Sequence, residues 1–188
     1  MATEGGPADL VKVLHLLFIS FTWGMQVWVS FIAGLVLLSK VSLHTFGLVQ
    51  SKLFPMYFYC LLASNTVSLV IYTVYHPRKL LDGHETIQMA LFFMAVIMSG
   101  LNVQWFTPAV LKHSLVMRKI EQEHGLGGEI RFFTTREPYK KLCEQDPKYK
   151  AHRKTFYRYH GMSILTNITG FACTTVILIY LALHLATI

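Results

Sequence analysis

The chain has 188 residues, of which 53% are hydrophobic and 14% charged, and its formal net charge is +7. Soluble domains average about 25% charged residues, so the composition excludes an ordinary soluble domain and indicates lipid as the surrounding solvent. The length suits a single domain. The basic residues are concentrated between apolar runs, which favours an anionic membrane surface over nucleic acid as the partner.

Four apolar stretches are long enough to cross a bilayer, which takes about 20 residues. In chain order they cover residues 10–38, 54–76, 86–111 and 159–186. We therefore predict an all-α fold with one membrane domain, 1–188. It is a four-transmembrane-helix bundle with a long, partly helical, basic cytoplasmic loop at 112–158, between helices 3 and 4.

The connection after span 1 contains His44, Gln50 and Lys52, and its polarity predicts a short loop. These side chains are candidates for docking against the long basic loop, a lipid headgroup or a partner. Pro55 is predicted to open span 2, because a missing amide hydrogen costs nothing at the start of a helix.

The long loop has helical patterns at both ends. Apolar residues recur at helical spacing from Ala109 to Ile120, which predicts that span 3 extends beyond the membrane until Gly125 caps it. Asp146 and Pro147 match the N-cap and the first position of another helix, which then continues into span 4.

Lys and Arg are distributed unevenly between the two sides of the predicted bundle. Fourteen fall on the side of connections 1–2 and 3–4, and three fall on the side of the tails and connection 2–3. The positive-inside rule then puts the long loop in the cytoplasm and both termini on the non-cytoplasmic side of the plasma or a secretory membrane. Candidates for binding anionic headgroups are Lys148, Lys150, Arg153, Lys154 and Arg158.

Each span carries one carboxamide near its middle, where hydrocarbon makes a polar group costly. Helical spacing gives each one polar neighbours on its own face, and if these faces turn inward, the bundle has a neutral polar core with a histidine toward each end. Two interpretations stay open: a site for a polar, uncharged or soft-cation solute, and interhelical hydrogen bonds worth about 0.6 kcal/mol each. The candidate residues are Gln26, Asn65, Asn102, Asn167, His15, His160 and Ser163.

The sequence shows no familiar catalytic or cofactor-binding motif. His15 and His160 are predicted near opposite faces of the bilayer, too far apart to share a haem or a metal ion. Cys60 and Cys173 fall in different halves of the membrane, which disfavours a common soft-metal site. We therefore expect no cofactor, no metal and no enzymatic activity.

Several strings are more particular than generic membrane sequence. They are WGMQVW at 23–28, HTFGLVQSKLFP at 44–55, NVQWFTP at 102–108, GLGGE at 125–129, DPKY at 146–149 and FYRYHG at 156–161. In order and spacing they resemble the vertebrate transmembrane protein 205 family across nearly the whole chain. The resemblance implies a small four-pass protein whose domain has no established function, from a family associated with cisplatin resistance linked to vesicular export and without agreed functional residues. A distant similarity to bacterial copper-resistance and haem-biosynthesis membrane proteins is fold analogy alone.

These observations leave three functions to compare. The first is movement or sequestration of a small solute, including platinum drugs, through the amide-lined core, and the family resemblance favours it. The second is a non-transporting scaffold whose basic loop binds anionic lipid or trafficking proteins, and the charge bias supports it. The third is an intramembrane redox enzyme, for which convincing ligands are lacking.

Overall fold

The computed structural model describes residues 9–75, 83–130 and 135–184. Within these ranges α-helix dominates and no β-strand occurs, so the predicted all-α class is confirmed. The predicted ends of spans 2 and 4, at residues 76 and 186, lie outside the described residues, as do Arg78, Lys79 and Arg131.

Among the described residues, four helices are long and apolar enough to cross a membrane, and the chain is an integral multi-pass membrane protein. The first crossing consists of α1 (Asp9–Val27), a π-helical segment (Trp28–Ala33) and α2 (Gly34–Lys40). The second is α3 (Leu43–Tyr75). The third consists of α4 (Gly83–Leu101), a π-helical segment (Asn102–Phe106) and α5 (Thr107–Glu123). After the short α6 (Glu137–Gln145), the fourth crossing is α7 (Pro147–His184).

The second crossing begins earlier than the hydropathy pattern predicts. His44, Gln50 and Lys52 lie on α3, so the prediction of a polar loop there was wrong. Pro55 lies inside the same helix and does not open it, which also corrects the prediction. Polar residues such as Gln and Lys form helix as readily as Leu does once the chain leaves the hydrocarbon layer. Hydropathy therefore locates the membrane better than it locates the start of a helix.

The four crossings form an up-down-up-down bundle. The first and third crossings each pack against α3 and α7, so neighbouring helices run antiparallel. Outward side chains such as Leu17, Val70 and Leu165 stay exposed and belong in lipid. Because lipid is as apolar as leucine, the outside of the bundle takes the apolar residues and polar side chains can collect inside.

Apolar clusters fill the interior at three levels. Tyr72 and Phe92 belong to the cluster near the start of α1, and Tyr57 and Leu61 belong to the central one. Leu142 belongs to the third, which packs α6 onto α5 and α7. The end of the bundle formed by α6, the end of α5 and the start of α7 is called the basic end below.

The π-helical segment of the third crossing ends two residues before Pro108. The Thr107 amide donates to the Asn102 carbonyl, five residues earlier. Such widened turns are rare and often occur at functional sites. Both π-helical segments contribute a side chain to the polar core, Ser30 from the first and Asn102 from the second.

Candidate functional site

The centre of the bundle contains a cavity of about 10 Å³, which is space for about one water molecule. Its lining includes all four mid-span carboxamides, those of Gln26, Asn65, Asn102 and Asn167. Gln26 is 1% exposed and Asn102 is 0% exposed. Among the residues that the structure describes, the lining includes no charged side chain, so this part of the core is polar and neutral.

Asn102 joins the third crossing to α7. Its Nδ2 atom donates to Thr166 Oγ1 at 2.8 Å, and Ser163 Oγ donates to its Oδ1 atom at 2.6 Å. Ser163, predicted as a member of the polar core, therefore acts there as a partner of Asn102. Both ends of this carboxamide are hydrogen-bonded to the facing helix.

Asn167 and Gln26 connect α7 to other crossings. Tyr57 Oη donates to Asn167 Oδ1 at 2.8 Å, and Asn167 Nδ2 donates to Ser30 Oγ at 2.9 Å. Thr174 Oγ1 donates to Gln26 Oε1 at 2.6 Å. Asn167 thus ties α7 to both α3 and the first crossing.

Asn65 is held more loosely, because its Nδ2 atom donates to the Ala95 carbonyl at 3.4 Å. We expect Asn102→Leu to lower the free energy of unfolding by about 2 kcal/mol and Asn65→Leu by about 0.6 kcal/mol or less. The leucine side chain has a similar volume, so the difference reports the lost hydrogen bonds. Unfolding of the full chain in mixed detergent micelles measures both values. Equal losses would show that the short bonds of Asn102 contribute nothing extra.

The two candidate histidines lie toward opposite ends of the core. The His15 ring stacks on Phe92 with ring centroids 5.7 Å apart, and the His160 ring stacks on Phe156 at 5.4 Å. In the described parts of the chain, no group of three or more His, Cys, Asp or Glu side chains is arranged to hold a metal ion.

A second polar cluster lies at the basic end; docking of His44 against the long loop was one of the predicted alternatives, but the acidic and tyrosine members of the cluster were not predicted. Glu121, on α5, is 5% exposed and stands at its centre. Its Oε2 atom lies 2.9 Å from His44 Nε2, and Tyr149 Oη donates to its Oε1 atom at 2.6 Å. Together with Glu129 and Tyr139, these residues are called the carboxylate cluster. It connects α3, α5, α6 and α7.

The turn that follows α5 closes over this cluster. The His44 amide donates to the Gly127 carbonyl at 3.0 Å, and the Leu43 amide donates to the Glu129 carbonyl at 2.9 Å. Ser42 and Ile130 form an isolated antiparallel bridge beside them. Gly127 has a φ of +92°, and a Cβ atom at this position would overlap the His44 ring. Only glycine satisfies both conditions.

Hydrogen bonds favour the ionised form of the Glu129 carboxyl in this turn. Burial acts to raise the pKa of the Glu129 carboxyl, but hydrogen bonds from the Tyr139 hydroxyl and the Gly127 amide bring it below its usual value. Burial and the adjacent Glu129 carboxylate raise the pKa of the Tyr139 hydroxyl. At neutral pH Glu129 is ionised and Tyr139 is protonated, as their hydrogen bond requires.

The distinctive sequence strings quoted in the sequence analysis contain most residues of the carboxylate cluster. HTFGLVQSKLFP contains His44, GLGGE contains Gly127 and Glu129, and DPKY contains Tyr149. Asp146 of the last string accepts hydrogen bonds from the Lys148 and Tyr149 amides and so begins α7. Because these strings are unusual for a membrane protein, they marked the residues as candidates. The sequence did not show that the three strings come together in space.

The candidate lipid-binding cations divide into two groups in the structure. Lys150, Lys154 and Arg158 are exposed and follow one another at four-residue intervals, which places them on one face of α7. Lys148 is exposed as well but lies off this face.

Arg153, the fifth candidate, is half-buried and has partners within the protein. Its Nη1 atom donates to Cys143 Sγ at 3.0 Å, and its guanidinium lies 5.6 Å from the centre of the Tyr157 ring. These contacts hold α6 against α7. Cys143, like Cys60 and Cys173, is a free thiol.

Comparisons with known proteins identify the family. The model described as Domain of unknown function (DUF4149) matches residues 17–118. The chain is 71% identical over 188 residues to Transmembrane protein 205 of Danio rerio, with 100% of both chains covered. No solved structure matches it. The chain therefore belongs to the transmembrane protein 205 family and contains a DUF4149 domain.

Proposed function

We propose that the protein is a non-catalytic membrane scaffold whose basic end binds anionic lipid at the cytoplasmic face. The main observation in support of this proposal is the composition of the outward face of α7. Lys150, Lys154 and Arg158 lie on it. Two turns beyond Arg158 the same face presents Leu165 and Ile168, which are 66% and 51% exposed. A single helix face thus offers cations to headgroups and apolar side chains to acyl chains.

Electrostatic attraction favours this arrangement. Each Lys or Arg near an anionic leaflet contributes about 1 kcal/mol, so three aligned cations contribute about 3 kcal/mol. Anionic lipids are concentrated in the cytoplasmic leaflet, and the excess of Lys and Arg on this side agrees with a cytoplasmic basic end.

The geometry of the amide core supports a structural role. The cavity of about 10 Å³ is far smaller than a drug molecule. The carboxamides of Asn102 and Asn167 both donate to and accept from neighbouring helices. The association with cisplatin resistance implied by the family resemblance fits vesicular trafficking organised at the basic end better than drug passage through the bundle.

Movement of a small polar solute is a second candidate, favoured by the meeting of four carboxamides at one cavity. It requires the bundle to open, since the cavity holds about one water molecule. Purified protein in vesicles distinguishes the two, because a transporter moves solute without a partner. Saturable solute uptake by such vesicles would replace the scaffold proposal.

Lipid co-purification tests the scaffold directly. Full-length protein is reconstituted in equal parts phosphatidylcholine and phosphatidylserine and then extracted in polymer-bounded discs. Changing Lys150, Lys154 and Arg158 to glutamine is expected to lower the enrichment of phosphatidylserine about tenfold or more. Changing Lys140, Lys141 and Lys148 to glutamine removes the same charge elsewhere on the basic end and is expected to have little effect. Equal losses in both variants would contradict binding by the α7 face.

A further inference from the structure

Two histidines on different helices meet between α5 and the first turns of α7. His113 lies on α5 and His152 lies on α7. Their Nδ1 atoms are 2.9 Å apart, and the centroids of their rings are 4.9 Å apart. Because the centroids are further apart than the nitrogens, the rings meet by their Nδ1 edges. Two ring nitrogens from two helices thus converge on one point.

The pair is separate from the polar groups of the core and of the carboxylate cluster. Both rings are half-buried, and neither has another hydrogen-bond partner among the residues that the structure describes. His152 lies two residues from both Lys150 and Lys154, so it is on the opposite side of α7 from the face proposed to bind lipid. Each ring is therefore positioned by a long helix and remains accessible to water.

A hydrogen bond between the two rings requires unlike tautomers. One imidazole has to carry its proton on Nδ1, while the other carries its proton on Nε2 and accepts with Nδ1. A metal ion makes a different demand, because both rings bind it through Nδ1 and both keep the proton on Nε2. Neutral imidazole is the commonest metal ligand in proteins. The two converging nitrogens can therefore hold either a shared proton or a metal ion.

The separation of the two nitrogens is close to the value that a metal ion requires. Zinc–nitrogen bonds are about 2.0–2.1 Å long, so two imidazoles on one tetrahedral ion have their nitrogens about 3.3 Å apart. Compared with the present 2.9 Å, the Nδ1 atoms of His113 and His152 need to separate by only about 0.4 Å. Small rotations of two half-buried side chains supply that movement.

We propose that His113 and His152 bind a divalent transition-metal ion of the zinc type through their Nδ1 atoms. Water fills the remaining positions, since the described residues contain no group of three or more His, Cys, Asp or Glu side chains arranged to hold an ion. Imidazole favours this class of ion, whereas Mg²⁺ and Ca²⁺ prefer oxygen ligands. A bound ion joins α5 directly to α7. The proposal departs from the expectation of no metal, which was drawn from His15, His160 and the membrane cysteines.

The charges beside the pair limit its affinity. Lys112 precedes His113 and is exposed, and Arg153 follows His152 and is half-buried. Both cations repel a metal ion, so we expect the pair to bind less tightly than a site that contains carboxylates. Lys112→Gln removes one of the two charges, keeps both ligands, and should strengthen zinc binding severalfold.

Zinc added to the full-length protein in detergent, without a histidine tag, tests the site through the melting temperature. After treatment with a chelator, Zn²⁺ is expected to raise the melting temperature, because an ion that binds only the folded protein stabilises it. Mg²⁺ at the same concentration is expected to leave it unchanged. X-ray absorption of the zinc-loaded protein should show imidazole nitrogens at about 2.0–2.1 Å. Sulfur ligands at about 2.3 Å, or equal shifts with Zn²⁺ and Mg²⁺, would overturn the assignment on the unaltered protein.

Variants then locate the site. His113→Asn and His152→Asn each remove one ligand, and each is expected to weaken the apparent affinity for Zn²⁺ about tenfold or more. His124→Asn is the control, because His124 follows α5 and is exposed, and it should bind zinc as the unaltered protein does. Unchanged zinc binding in His113→Asn and His152→Asn would place the ion elsewhere and contradict the proposal. If both variants lowered the melting temperature while Zn²⁺ shifted none of the proteins, the pair would hold a shared proton and no metal.

Discussion

Gly127→Ala is expected to destabilise the protein by about 3 kcal/mol. The backbone of residue 127 has a φ of +92°, and this conformation destabilises an L-residue by about 1–2 kcal/mol. The added Cβ atom also overlaps the ring of His44, and overpacking of this kind costs about 1–3 kcal/mol. Equilibrium unfolding of the full chain in mixed detergent micelles measures the sum.

Two neighbouring glycines provide matched controls. Gly128→Ala adds a Cβ atom with no other atom within 4 Å, so a change within about 0.5 kcal/mol is expected. Gly125 has a φ of +68° but open space around it, so its alanine variant should show the backbone cost alone. If Gly127→Ala were no worse than Gly125→Ala, the contact with His44 would not be limiting.

Glu121→Gln is also expected to cost about 3 kcal/mol. It removes the charge from two hydrogen bonds, those with His44 and Tyr149, and bonds to charged groups contribute about 1.5–3 kcal/mol each. The glutamine amide can still form weaker hydrogen bonds to both partners, so the expected loss of stability is smaller than the sum of the two contributions. The same unfolding measurement applies.

Glu123→Gln is the matched control for this substitution. Glu123 lies on the same helix and is exposed, so its variant should stay within about 0.5 kcal/mol of the unaltered protein. A double-mutant cycle with Tyr149→Phe isolates the Glu121–Tyr149 bond. Independent, additive effects in that cycle would mean that the bond contributes no stability.

The sequence was sufficient to predict the crossings and to assign the four amides to polar helix faces. Lipid requires runs of about 20 apolar residues, and the helical period fixes which side chains share a face. Gln26 and Asn102, for example, could be assigned to the polar side of their helices from residue spacing alone. The same reasoning failed at the start of α3, because hydropathy reports the surroundings of a segment and not its backbone conformation.

Docking of His44 against the long loop was a sequence-based alternative, but its partners in the carboxylate cluster could not be identified from the sequence, for a different reason. His44 and Glu121 are separated by 77 residues, and Glu121 and Tyr149 by 28. No periodicity relates positions so far apart, and each residue taken alone has the pattern of an ordinary polar group near a helix end. Their contacts arise from tertiary packing, which also makes Gly127 indispensable.

The hydrogen bonds at the start of α3 affect the order of events during synthesis. The first amides of a helix have no partner within it, and those of Leu43 and His44 donate to the carbonyls of Glu129 and Gly127. The ribosome makes these acceptors only after the third crossing. We therefore expect the first helical hairpin to enter the membrane before the hydrogen bonds at its tip can form, and a defect at Gly127 to affect the last stage of assembly more than insertion of the earlier crossings.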